Sequence, residues 1–238
     1  MVCMEWALVA DRRQLATPGA FGACPSCGAR LIAKCGKVYA WHWAHEACDC
    51  DSWSEPEGLW HRGWKQLFPE EWREVVIGEH RADLRVPGGV IELQHSSISA
   101  GEIEERERFY GRMVWVVNAE EWNLEPHHDW RLREFRKTNS SPGWMTPEWN
   151  AYRKKQHAII ASHDTVPEPH FRWLWPRKSW LAAKRKVYLD RGGDELFLIK
   201  RIYADGRYLI TRRISKQKFI AGMLGTKQRA LPGVGAHR

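Results

Sequence analysis

The chain has 238 residues, 15 of them tryptophan, and a formal net charge of +8. That is enough for one full core and a smaller module, while no apolar run reaches the ~20 residues of a membrane-spanning helix. With no charged-then-apolar leader either, a soluble cytoplasmic protein without membrane contact is expected, and its six cysteines argue for bound metal rather than disulfides.

Met4–Ala10 reads as a short strand ahead of a Thr17-Pro18-Gly19 turn. Cys24-x2-Cys27 followed by Gly28 is a knuckle that lets backbone amides approach two thiolates. Leu31–Ala40 is strand-like with a turn at Gly36, and Trp41-His42-Trp43-Ala44-His45 follows. Cys24, Cys27, His42 and His45 then offer a tetrahedral Cys2His2 set for Zn2+, with Cys35, Cys48 and Cys50 as substitutes. Four protein ligands leave no open position, so the zinc expected is structural. A reduced, buried thiol cluster is the alternative.

Ser54 and Glu57 fit a capping box opening a helix over Gly58–Phe68. Glu57, His61 and Lys65 recur every four residues and line one stripe, with Trp60, Trp64 and Leu67 on the packing side. By itself such a stripe suits plain surface. Glu74–Glu79 reads as a strand, and Arg81–Gln94 as two more joined by Pro87-Gly88-Gly89. Alternation puts Glu92 and Gln94 on one face of the second, and a hairpin of this size sets Asp83 beside Glu92. Facing carboxylates repel unless a cation sits between them, so the pair reads as a divalent-metal site. A solvated hairpin face is the competing reading.

Ser99 and Glu102 form a second capping box, opening a charged helix to about Tyr110. Met113–Val117 is a continuous apolar run, as expected of a strand buried on both faces. Beyond it, Trp122–Arg136 is helix-like in parts, Ser140–Gly143 a loop and Tyr152–His163 a helix. Phe171–Lys186 is rich in tryptophan and in basic residues, among them Arg177, Lys178, Lys184, Arg185 and Lys186. It either caps the core or tracks a phosphate backbone. Glu195–Ile202 and Tyr208–Ile214 flank Ala204-Asp205-Gly206-Arg207, a β-hairpin pattern, and Lys216–Met223 reads as a short helix before a loose tail.

Charge divides along the chain. Residues 1–150 carry 17 Lys+Arg against 23 Asp+Glu, a net of −6, and residues 151–238 carry 20 against 6, a net of +14. An acidic, metal-capable half beside a basic half suits a polyanion held for chemistry.

The order helix, three strands, helix, strand, with Asp83 on the second strand and Glu92-x-Gln94 on the third, resembles the PD-(D/E)xK nuclease core. HWAH after CxxC, Glu57-x3-His61-x3-Lys65, Arg81-Ala82-Asp83, Ile91-Glu92-Leu93-Gln94-x-Ser96 and Glu105-Arg106 with Phe109-Tyr110 narrow it: residues 20–120 resemble the competence protein CoiA-like family. Val187–Gly193 matches more loosely. The resemblance implies an α/β (α+β) fold, a restriction-endonuclease-like mixed sheet flanked by helices. It divides as a zinc-binding module (1–52), a nuclease core (53–120), a Trp- and basic-rich extension (121–186) and a basic C-terminal β-hairpin module (187–238).

It further implies a nuclease in which Asp83 and Glu92 hold Mg2+ or Mn2+, with Glu57 or His61 completing the site. Gln94 stands where the superfamily usually has lysine, as in some of its members; its amide orients water but is no base, and Lys65 then supplies positive charge. Arg106 is expected on a phosphate. Expected partners are DNA, single-stranded or duplex, and a second copy of the chain or a recombination or defence protein. The rival readings are a catalytically weak DNA-binding module and a zinc-finger interaction protein.

Overall fold

The computed structural model describes residues 3–37, 41–47, 50–53, 58–126, 170–203 and 206–225. Glu57 with its Ser54 capping box, Cys48 and the helix expected over Tyr152–His163 lie outside the described residues.

The architecture is mixed α+β, built on two sheets. The smaller sheet comprises β1 (Cys3–Met4), β2 (Trp6–Val9), β3 (Arg12–Leu15), β4 (Phe21–Ala23), β5 (Arg30–Lys34) and β6 (His42–His45), antiparallel throughout in the order β1-β6-β5-β4-β2-β3. Val9 pairs with Arg12 across Ala10 and Asp11, both at positive φ (48° and 61°). Two such central residues suit the right-handed twist of a tight hairpin. Met4, Ala7, Leu31 and Trp43 fill this sheet's own small core.

The larger sheet has nine strands. Helix α1 (Leu59–Gln66) precedes β7 (Arg73–Ile77), β8 (His80–Val86) and β9 (Gly89–Gln94); helix α2 (Ala100–Tyr110) then crosses to β10 (Met113–Asn118). The chain continues through β11 (Leu124–Pro126), β12 (His170–Trp173), β13 (Lys186–Asp190), β14 (Glu195–Tyr203) and β15 (Tyr208–Ser215) to helix α3 (Lys216–Leu224). The spatial order is β11-β12-β15-β14-β13-β10-β9-β8-β7, with β10 parallel to both β9 and β13 and every other pair antiparallel. The hairpin expected in the C-terminal segment is therefore part of the central sheet, as are the strands flanking residues 127–169.

Strand β10 shows why the sheet is buried on both faces. Trp115 and Val117 pack with Ile103 of α2 and with Trp180, whereas Val116 joins Trp64, Phe68 and Phe219 on the side of α1 and α3. Its apolar run is required by both layers. Helix α2 starts where its capping residues say, the Ser99 hydroxyl accepting the Glu102 N–H at 3.1 Å. At the β8–β9 turn the Gly88 N–H donates to the Met223 carbonyl at 2.7 Å, and a Cβ there would lie 2.6 Å from that oxygen. Only glycine lets the end of α3 close on the hairpin. Among the described residues no helix is long and apolar enough to cross a membrane.

Candidate functional site

The first cluster is made of thiols. Cys24, Cys27, His45 and Cys50 each bring one ligand atom into a group whose atoms all lie within 4.8 Å of one another. The knuckle after β4 positions the first two: the Gly28 N–H donates to the Cys24 carbonyl at 2.9 Å, and Gly28 takes the positive φ (72°) this return needs. Strand β6 delivers His45, whose Nε2 lies 3.4 Å from Cys27 Sγ, while Cys24 and Cys50 Sγ are 3.7 Å apart. A tetrahedral ion with ~2.3 Å thiolate bonds needs sulfur–sulfur edges of about 3.8 Å, so the spacing and the donor set fit structural zinc.

Burial, and then the neighbouring sulfurs of Cys24 and Cys27, push the Cys50 thiol up to about 12. Burial acts on Cys27 in the same sense, but hydrogen bonding from Ala29 and the other two cysteines outweighs it and lowers that thiol. Such a cluster ionises in full only around a cation.

His42 is not in this group. It shares β6 with His45 three residues on, and strand alternation sends i and i+3 to opposite faces. Cys50, among the substitutes in the sequence reading, takes its place. The signal was present: an HxxH pair on a strand cannot face one ion.

The second cluster is made of carboxylates. The β8–β9 hairpin pairs Leu84 with Ile91 and sets Asp83 beside Glu92, as its length required. Each takes an amide of the other's strand: Asp83 Oδ2 accepts the Leu93 N–H at 2.9 Å, and Glu92 Oε1 accepts the Asp83 N–H at 3.4 Å. Glu92 is buried and Asp83 keeps 22% of its side chain exposed, leaving one mouth to solvent.

Two cations flank the pair. Arg106 of α2 is buried, donating from Nη1 to Glu92 Oε2 at 2.9 Å, from Nη2 to the Trp53 carbonyl at 2.7 Å, and to Glu102. Lys65 of α1 is also buried, its Nζ 2.8 Å from Glu74 Oε1 and 3.5 Å from Asp83 Oδ1. Arg106, expected on a phosphate, and Lys65, expected to supply positive charge beside the site, are thus both inside the protein, holding carboxylates. His61 donates from Nε2 to the Leu93 carbonyl at 3.0 Å, fixing α1 over β9 beside the pair. Gln94, 1% exposed, donates from Nε2 to the Ser96 carbonyl at 3.4 Å. Of the other basic residues, Arg177 lies over the Trp122 ring, Lys178 is exposed, and Lys184, Arg185 and Lys186 form an exposed run in which Lys184 pairs with Glu104.

Electrostatically the cluster is unbalanced. Burial and then the Asp83 charge push Glu92 up to about 8, and Arg106 offsets only part of this. Burial acts on Glu74 in the same direction, yet Lys65, Arg81 and the Glu5 amide hold it at about 2.

Three acids that matter here were not among the expected site residues. Glu74 accepts the Glu5 N–H on both oxygens, at 3.1 and 3.0 Å, tying the small sheet to Lys65. Asp51 accepts from His80 Nδ1 at 2.9 Å and from the N–H groups of Arg81 and Trp53. Asp190 gathers both indole N–H groups of Trp60 and Trp64, Lys216 Nζ and the Gly192 N–H, all within 3.0 Å. Asp51 and Trp53 also join the clusters: the run that supplies Cys50 to the thiols supplies, three residues on, the carbonyl that anchors Arg106.

The family model for the competence protein CoiA N-terminal domain matches residues 13–52, a segment containing all four members of the thiol–imidazole group. The CoiA-like resemblance read from the motifs is borne out over that segment. No curated protein and no solved structure matches the chain.

Proposed function

We propose that the chain is a nuclease that holds a hard divalent cation, Mg2+ or Mn2+, on Asp83 and Glu92 and hydrolyses DNA phosphodiester bonds there. One observation carries the reading: the buried Glu92 carboxylate is set beside the partly exposed Asp83 carboxylate, each accepting an amide of the other's strand, with burial and then the Asp83 charge pushing Glu92 up to about 8. The order α1, β7–β9, α2, β10 agrees with the PD-(D/E)xK restriction-endonuclease-like core implied by the resemblance.

A bound cation would lower the acidity barrier of its water and neutralise the scissile phosphate. The protein's residues do the rest. Asp83 and Glu92 supply hard oxygen ligands. Arg106 fixes the rotamer of Glu92 from one side and Lys65 that of Asp83 from the other, so the pair is preorganised. Lys65 has no freedom to act as a base while it is held by Glu74. Gln94, neutral and buried, is no base either, so acidifying the water would fall to the bound cation.

A second reading has its own support. Arg106 and Lys65 already pair the two carboxylates, and a site satisfied this way suits a nuclease-like scaffold that binds or processes DNA with a recombination or defence partner. Titrating Mg2+ against plasmid and single-stranded substrates separates the two. Metal-dependent cutting, abolished in Asp83→Ala and Glu92→Ala with DNA binding retained, is expected. Binding with no cutting at any Mg2+ or Mn2+ concentration would overturn the nuclease reading.

A further inference from the structure

At the far end of the nine-stranded sheet, six strand spacings from Asp83 and hence about 29 Å along it, lies an open groove of about 700 Å³. It is lined by Arg172 and Trp173 of β12, by Trp175 and Pro176 of the loop that follows, by Lys178 at the start of a short 3-10 turn, and by Arg207 just ahead of β15. Among the described residues no acidic side chain lines it. The framework beneath is fixed: the Trp173 N–H donates to the Arg207 carbonyl at 2.7 Å, Trp173 stacks on Trp122 at 4.5 Å, and Pro176 packs on Gly206.

On this framework Trp175 stands 75% exposed. Around it are three cations, of which Arg172 has a loose partner in Glu125 at 3.9 Å.

We infer that this groove is a docking site for single-stranded nucleic acid, with Trp175 stacking on a base and Arg172, Lys178 and Arg207 contacting the phosphates on either side. The charge fixes the sign of the ligand: three cations, with no carboxylate among the described lining residues, suit a polyanion. The exposed indole then narrows it. Duplex bases hide their faces in the stack, whereas a single strand offers them, and stacking on an indole is tolerant of sequence. The volume is within the ~300–1,000 Å³ range of small-ligand sites, room for one or two nucleotide units.

The inference goes beyond the nuclease reading, because it concerns binding at a place that holds no part of the carboxylate pair. It is tested with no Mg2+ or Mn2+ added, where no cutting takes place and the structural zinc is retained. Fluorescence anisotropy of a labelled oligothymidylate of ~15 nucleotides is measured with the full chain, its Trp175→Ala and Trp175→Phe variants, and Lys178→Ala/Arg207→Ala.

Trp175→Ala is expected to weaken binding roughly 5- to 150-fold, with Trp175→Phe restoring most of it. The double variant is expected to flatten the salt dependence by ~0.7 per cation removed. Duplex of the same sequence should bind more weakly and be indifferent to Trp175. Trp175 is exposed, so all variants should melt with the parent. An oligoribonucleotide tighter than the DNA would keep the site and assign its strand to RNA. Single-strand affinity within twofold of the parent in both Trp175→Ala and the double variant would overturn the inference. Loss of cutting in Asp83→Ala with this affinity unchanged leaves it standing.

Discussion

Glu74 and Glu92 are the same residue type, both buried in the same corner of the sheet, and their surroundings drive them in opposite directions. Glu74 has Lys65, Arg81 and a backbone amide converging on it and is held at about 2. Glu92 has Arg106, but also Asp83, and is pushed up to about 8. Burial acts on both in the same direction, and what differs is the neighbouring charge: two cations at Glu74, a carboxylate beside a cation at Glu92. A carboxylate that the protein fully compensates is structural, and one left short of charge is where an outside cation gains most. The thiol group of the small sheet follows the same rule, with four ligand atoms crowded within 4.8 Å of one another.

The largest expected effect is at that thiol group, because structural zinc sites contribute ~10–16 kcal/mol of folding free energy in isolated modules. Cys24→Ser and Cys50→Ser should each release zinc and unfold the N-terminal sheet, read by metal analysis and by proteolysis of residues 1–52. His42→Ala should retain the metal. Zinc lost from His42→Ala but kept in Cys50→Ser would reverse the ligand assignment.

Removing Lys65 comes next. Lys65→Met strands a buried Glu74 charge and should cost ~3–5 kcal/mol by urea denaturation. Glu92→Gln, by contrast, relieves repulsion with Asp83 and should leave the metal-free protein within ~1 kcal/mol of the parent, or more stable. Equal losses in both would erase the distinction between the two glutamates.

Acid sharpens it further. The Glu74 carboxyl is depressed from an ordinary 4.5 to about 2, so its contribution is complete above pH 4.5 and is lost as pH falls through 2. That amounts to ~3 kcal/mol, and it should be missing from the acid limb of Glu74→Gln. Glu92 gives the opposite sign. Its raised value means that stability present below pH 4.5 is lost as pH rises through about 8 in metal-free protein. Mg2+ should restore it, and Mg2+ affinity should rise with pH to a plateau above 8, as followed by calorimetry.

How much of this was readable in the sequence depended on how local the signal was. The α2 capping residues, the apolar run of β10 and the β8–β9 hairpin follow from spacing within a few residues, and so did the meeting of Asp83 and Glu92. The thiol group was legible to within one ligand; recognising residues 42–45 as a strand would have excluded His42. Lys65 and Arg106 were singled out as cations beside the site, but their burial was hidden. It depends on Glu74, 9 residues from Lys65, and on the Trp53 carbonyl, 53 residues from Arg106. Glu74 carries a positive φ (48°) in a strand, a conformation that residue type does not announce. Asp190 likewise looks like an ordinary strand-end acid until α1 and α3 bring two indoles and Lys216 to it.

The most direct measurement is anomalous diffraction from crystals grown with Mn2+. A peak between the carboxyl groups of Asp83 and Glu92, absent in Glu92→Gln, is the expected result. A gap with no peak, spanned by Lys65 or Arg106 at saturating Mn2+, would contradict the claim that this pair is a cation site.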